Sequence, residues 1–280
     1  MNGAATFHDM TSGDVSSGMA LCRQSGWNQT EADWHLLLEP PSVFRVVEQQ
    51  GRVVGCAGGM VYGSDLAWIC MVLVDASARG QGFGTRLMTE VLEHLPPAHA
   101  VGLDATPKGE PVYARLGFAG ASTLARLEAT VSPVTAPPGP RPITEADLPA
   151  LLARDRAVFA ADRGRVLRSA LAAAPEYAWC VDEGDPQAPA YCFGRRGANA
   201  AQIGPVVASS PAAALDLVSA AVARHAGQRF FLDAPAWAEW RSALEPLGFR
   251  EQRPFTRMYR GARPQSRPEQ SYAIFGPEFG

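Results

Sequence analysis

Hydrophobic and polar positions alternate along the chain in two periods, and the changes of period mark out the elements. Alternation with period two predicts a short strand over Thr6 to Met10 and two longer ones over Val43–Gln49 and Arg52–Tyr62. A tight turn at Gln50-Gly51 joins the longer pair into a hairpin. Helical spacing covers 11–26 and 30–39; Thr30 opens the second helix with Asp33 three residues on, the signature of a capping box. Leu66–Val74 is apolar on both faces and predicts a buried strand. Gly84 to Leu95 places Leu87, Met88, Val91, Leu92 and Leu95 on one side of a helix. A strand (Ala100–Ala105), a short helix (Glu110 to Leu116) and a strand (Ser122 to Ala129) complete this stretch.

The run SPVTAPPGPRP, Ser132 to Pro142, interrupts the pattern. Proline fixes φ and removes donors, so no strand or helix is expected there and the run reads as a linker. Beyond it the pattern returns: a strand at Gln202 to Ala208, a helix at Pro211 to His225, a strand at Phe230 to Ala234, and a helix at Trp237 to Leu247. Both halves close a helix with the tripeptide LGF, at Leu116–Phe118 and Leu247–Phe249, where the glycine suits a left-handed cap. An irregular stretch, Gly261 to Gln270, precedes a short apolar tail, YAIFG.

Length and composition agree with two domains, at roughly 150 residues each. A net charge of −3, with no Lys/Arg run, argues against nucleic acid as a partner. Met1 to Met10 has neither the basic nor the apolar region of a signal peptide, and the apolar run Leu66–Val74 is about half of a membrane span. Five cysteines without a CxxC pair read as core residues of a reducing compartment, and the five histidines lack metal spacing. The expectation is a soluble cytoplasmic protein with no metal and no membrane partner.

The sharpest chemical signal is VLVDASARGQGFGTRLM, Val72 to Met88. A strand turns into a loop with Gly80, Gly82 and Gly84, and the loop feeds a helix. Missing Cβ atoms allow close backbone approach, and the helix N-terminus favours a pyrophosphate. Arg79 and Arg86 offer charge-assisted contacts to phosphate. The order R-x-x-G-x-G departs from the G-x-G-x-x-G of a dinucleotide loop, and no Lys-Ser/Thr follows to make a nucleoside-triphosphate loop.

RGQGFG, Arg79 to Gly84, resembles the pyrophosphate loop of the GNAT acyltransferases, with the apolar strand that ends at Val74 before it. The resemblance implies an α/β (α+β) fold of two GNAT-like domains, each a mixed, mostly antiparallel sheet flanked by helices. It implies an acetyltransferase domain over 1–131, the linker over 132–142, and a degenerate copy over 143–280. Acetyl-CoA would be the acyl donor, its pantetheine arm lying along Val72, Leu73 and Val74. Its pyrophosphate would rest on Arg79, Gly80, Gln81, Gly82, Phe83, Gly84 and Thr85. Tyr113, in YARLGF, matches the tyrosine that protonates the leaving thiolate in such enzymes; it could instead only pack under CoA. Trp27, Asn28 and Trp34 lie where GNAT folds border the acceptor, as an aromatic wall or as core and cap residues. Glu31, Asp33, Asp65, Asp104 and Glu110 are open choices for a base, and each could equally be a cap or a solvated residue; Asp104 lies nearest the expected chemistry.

Overlaying the halves pairs Val207 with Val74, Gly248 with Gly117 and Leu244 with Tyr113, and sets ASSPAAA (208–214) where the first half has its glycine loop. The second half thus reads as a copy without the loop or the acid. VFAADR (158–163), RMYRG (257–261) and GPEFG (276–280) also resemble segments of a tandem GNAT subgroup, without assigned roles. The function implied is acetyl transfer to a primary amine, on a small molecule; the alternative is a sensor or scaffold that binds acetyl-CoA with vestigial turnover.

Overall fold

The computed structural model describes residues 4–98, 100–185 and 188–280, which leaves Met1–Gly3, His99, Pro186 and Gln187 outside the described residues. The first half runs β1 (Thr6–Asp9), α1 (Val15–Gln24), α2 (Glu31–Leu38), β2 (Val43–Gln49), β3 (Arg52–Tyr62), β4 (Leu66–Val74), α3 (Phe83–His94), β5 (Ala100–Ala105), α4 (Glu110–Arg115) and β6 (Ala119–Thr130). These elements follow the sequence pattern closely. Gln50 and Gly51 both have positive φ, as the two-residue turn of a β2–β3 hairpin requires. Thr30 and Asp33 form the expected capping box on α2. The first helix starts later than its periodicity suggests, because a single 3-10 turn at Ser12–Asp14 precedes it.

The second half runs β7 (Arg141–Pro142), α5 (Leu148–Phe159), α6 (Gly164–Ala173), β8 (Trp179–Val181), β9 (Ala190–Arg195), β10 (Ala201–Val207), α7 (Pro211–Val222), β11 (Arg229–Pro235), α8 (Ala238–Leu244), β12 (Arg250–Gly261) and β13 (Ser271–Ala273). Here one expectation fails. The proline run does end in a strand, since Arg141 and Pro142 pair with Cys180 and Trp179 of β8. Proline is admissible because β7 is the outermost strand of its sheet, where a missing donor faces no neighbour. Both LGF tripeptides behave as expected, with Gly117 at φ 88° and Gly248 at φ 92°.

The strands form one sheet in the order β1-β2-β3-β4-β5-β12-β6-β11-β10-β9-β8-β7, with β13 paired to β10. It is antiparallel except where β4 meets β5 and β10 meets β11. The centre of this order shows an exchange between the halves. β12, from the end of the second half, lies between β5 and β6, while β6, from the first half, pairs with β11. The cores show the same exchange: Ala125, Leu127, Ala129 and Val131 of the first half pack with α7 and β11, and Met258 of β12 packs beneath α3 with Leu87 and Val91. Buried apolar area is the main stabilising term, so each half completes its core with a strand of the other. No helix among the described residues is long and apolar enough to cross a membrane.

Nicking the chain should therefore not separate the halves. With a protease site inserted beside the exposed Ala136, the two fragments are expected to co-elute on gel filtration at the mass of the intact chain. Separate elution without denaturant would contradict the exchange.

Candidate active site

Parallel pairing of β4 with β5 stops early. Leu66, Ala67 and Trp68 face Ala100, Val101 and Gly102, and no pairing of these strands follows. Met71 explains the divergence: it sits at φ 53°, and around it β4 carries one residue more than its β3 partner, a bulge that bends the strand. Beyond Trp68, β4 therefore offers an edge that no other described strand occupies. The gap is the mouth of a cleft of about 710 Å³, within the usual range for ligand sites.

At the end of β4 the chain enters the glycine loop. Gly80 and Gly82 both adopt φ 79°, and Gly82 caps α3 with no side-chain acceptor on the N–H groups that follow. A Cβ at either glycine would meet nothing within 4 Å, so the loop stands open to a ligand. Val72, Leu73, Val74, Arg79 and Gly84 line the cleft; Gly80, Gln81, Gly82, Phe83 and Thr85 make the loop that joins them. Arg79 donates from Nε to the Val74 carbonyl at 3.1 Å, which holds it at the cleft. Arg86 does not join it: its guanidinium stacks 3.7 Å from the Phe7 ring and bonds Glu90. An extended chain on β4, with a phosphate at the N-terminus of α3, fits this geometry.

Tyr113 reaches the cleft from α4 and packs edge-on to Phe118, the ring centroids being 6.3 Å apart. Gly109 leaves room for its ring, since a Cβ there would lie 2.9 Å from Cε2. Burial pushes the Tyr113 hydroxyl up to about 12, and the buried Cys70 adds to the shift. The Cys70 thiol lines the same cleft and is itself pushed well above its ordinary value by burial.

The expected acceptor residues divide. Trp27 is half-buried and lines the cleft. Trp34 does not: it is fully buried and packs edge-on to Phe44 within the core. Trp34 and Leu37 share one face of α2, and that spacing was the available signal. Asn28 lines the cleft, but its amide is engaged with the second half, accepting from Asn199 N and Ala200 N and donating to Ala200 O. Asp104 lines the cleft with both oxygens held by Arg257, at 2.9 and 2.8 Å, and burial raises its pKa against that pairing. Neither Glu31 nor Asp65 is near chemistry, both being exposed. Asp33 caps α2 and pairs with Arg195, and Glu110 accepts from Thr256.

Sequence reasoning missed the cleft residues from farther along the chain: Arg126, Arg253, Phe255, Pro277 and Glu278. The segment Gly276–Gly280 is anchored in both halves. From the first, Trp68 Nε1 donates to Pro277 O at 2.9 Å and the Tyr62 hydroxyl to Phe279 O at 2.7 Å; from the second, Arg163 donates to Gly280 O at 2.7 Å. Arg163 also pairs with the buried Asp155, while Asp162 accepts from the N–H of Gly164, the first residue of α6. Glu278, a lone charge in an apolar tail, was the legible hint; it is 3% exposed and pairs with Arg195.

The second half repeats the geometry with the opening closed. β10 pairs in parallel with β11 only through Ala201–Ile203, and β13 then pairs with Val206 and Val207. An extended piece of the chain thus occupies the position that is empty beside β4. Ser210 caps α7, accepting from Ala213 N at 3.2 Å, and no glycine loop remains. Leu244, aligned with Tyr113, is fully buried.

Substitution should separate core from wall. Trp34→Ala is expected to destabilise the protein by about 3–5 kcal/mol, and Trp27→Ala by a small fraction of that, measured by urea unfolding. Equal losses would place both tryptophans in the core.

A family model described as acetyltransferase (GNAT) family matches residues 15–118, and another described as acetyltransferase (GNAT) domain matches residues 151–273. The holothin acyltransferase of Pseudoalteromonas sp. (strain SANK 73390) is 26% identical over 258 residues, covering 88% of this chain and 87% of its own. A crystal structure from Pyrococcus horikoshii superposes with a TM-score of 0.82 at 18% identity, covering 99% of this chain and 96% of that one. A tandem GNAT protein from the clavulanic acid biosynthesis pathway superposes with a TM-score of 0.62 at 17% identity, covering 93% of this chain and 99% of that one. With a GNAT match in each half, and a mixed sheet that splays beside a glycine loop, the chain belongs to the GNAT superfamily of acyltransferases, as a tandem of two such domains.

Proposed function

We propose that the chain transfers an acetyl group from acetyl-CoA to a primary amine on a small molecule, in the first-half cleft. The observation that carries this reading is the open edge of β4 beside the glycine loop, set against the closed copy in the second half. In one half a piece of chain fills the gap; in the other the gap is free for an extended ligand. We take residues 1–131 as the catalytic domain, 132–142 as the linker and 143–280 as the degenerate copy.

Val72–Val74 would hold the donor along β4, and Arg79 with the loop 80–85 would hold its pyrophosphate. Backbone N–H groups of β4 would polarise the thioester carbonyl. The free-base amine attacks directly: the C–N bond forms, the C–S bond breaks, the leaving sulfur takes the Tyr113 proton, and the surplus proton on nitrogen passes to solvent, from which Tyr113 recovers its own. Holding both reactants in one cleft can supply about 7 kcal/mol or more without an activated nucleophile.

An ordinary phenol near 10 is a weak donor to a thiolate near 8.5, and burial weakens it further. The same burial acts on sulfur, as Cys70 shows, and so narrows the gap. It also keeps Tyr113 protonated. Because its pKa is raised to about 12, the donor form persists through alkaline pH and is lost only above that value.

Thiol release from acetyl-CoA across a panel of amines tests the reading. Tyr113→Phe is expected to lower kcat about 10²-fold with the KM for acetyl-CoA unchanged; an unaltered kcat would reduce Tyr113 to a packing residue. For the wild type, the rate should rise with pH as the amine deprotonates, with no falling limb below about pH 11. A Tyr113-dependent fall near pH 9 would keep the donor role and overturn the raised pKa.

A further inference from the structure

Two charged side chains of the cleft have buried polar atoms without partners. Glu278 gives Oε1 to Arg195, while its Oε2 is buried and unbonded. Arg253, on β12, has a buried Nε without an acceptor and makes no ion pair with any described carboxylate; its guanidinium stacks 5.0 Å from the Phe255 ring. The neighbouring Arg126 cannot serve in its place, because Asp233 holds it at 2.8 and 2.7 Å. A buried polar atom without a partner is costly, and here two, on side chains of opposite sign, line one cleft with Tyr113.

We infer that the acceptor is an amine that also carries an anionic group: it docks with its ammonium on Glu278 Oε2 and its anion on Arg253, and the ammonium gives one proton to solvent before the free amine attacks. This assignment rests on the reading of the cleft as the site of transfer. The charge around the cleft supports it. Arg79, Lys108, Arg126 and Arg253 line it against Asp104 and Glu278. A simple amine adds one positive charge to that cationic excess, whereas a zwitterion adds none. Burial and the positive charge of Arg126 lower the pKa of Arg253. A planar guanidinium matches both carboxylate and phosphate, so the class is an amino carboxylate or an aminoalkyl phosphate.

Thiol release from acetyl-CoA, measured on matched sets, tests the proposal: amino carboxylates, aminoalkyl phosphates of equal length, and the carboxamides or alcohols of the same skeletons. An anionic amine should exceed its neutral counterpart at least tenfold in kcat/KM, and the better anionic set names the group. Arg253→Gln should remove that preference by raising the acceptor KM about tenfold, with the acetyl-CoA KM as the control for an intact fold. Arg253→Lys, which keeps the charge without the fork, should retain part of the preference and replaces Gln if Gln does not fold. Turnover without a preference for anionic amines, or a preference that survives Arg253→Gln, overturns this inference and leaves acetyl transfer standing. Thiol release on none of the sets overturns the transfer reading, and the inference with it.

Discussion

Parallel strands need regular, slanted hydrogen bonds to stay together, and β4 keeps them with β5 for three residues only. Everything at the site follows from that early stop. The bulge at Met71 turns β4 aside, the glycine loop begins where the strand ends, and α3 points its uncapped N-terminus back toward the gap. A sheet edge is normally a liability that proteins hide. Here it is set inside the molecule, walled by β5 and β12 on one side and the α1–α2 junction on the other, so that only a ligand of the right shape can reach it.

Exchange of β6 and β12 fixes the rest of the cleft. It carries Arg253 and Phe255 into a wall otherwise made by the first half, and it sets Arg257 against Asp104 at 2.8 Å. A chain of buried polar contacts runs from Arg126 through Asp233 and Gln202 to Arg195, which ends on Asp33 of the first half and Glu278 of the tail. Breaking such a chain leaves charges without partners, a cost of several kcal/mol. The halves are thereby held in one register.

What could be read along the chain was what is local. The hairpin turn at Gln50-Gly51, the capping box on α2, the glycine loop and both LGF caps each depend on a few adjacent residues, and each appears where the pattern puts it. The exchange was not legible, because alternation says that a strand exists and not which strand it meets. Glu278 and Arg253 stayed hidden for the same reason, being more than 160 residues from the loop they face. Trp34 goes inward with Leu37 on one face of α2 and packs on Phe44, while Trp27 precedes that helix and stays at the cleft. Residues 143–201 carry α5, α6, β8 and β9, none of which is among the elements expected from the sequence, although α6 sets Val166, Leu167, Ala170 and Leu171 along one buried face.

Strand β13 beside Val206 and Val207 also sets what each half asks of its surroundings. An unpaired strand edge carries amides that must find partners. In the second half a stretch of its own polypeptide supplies them, so that edge is complete without a ligand. The traded strands carry a different obligation: a substitution in β6 falls on the interior of the second half, and one in β12 on that of the first.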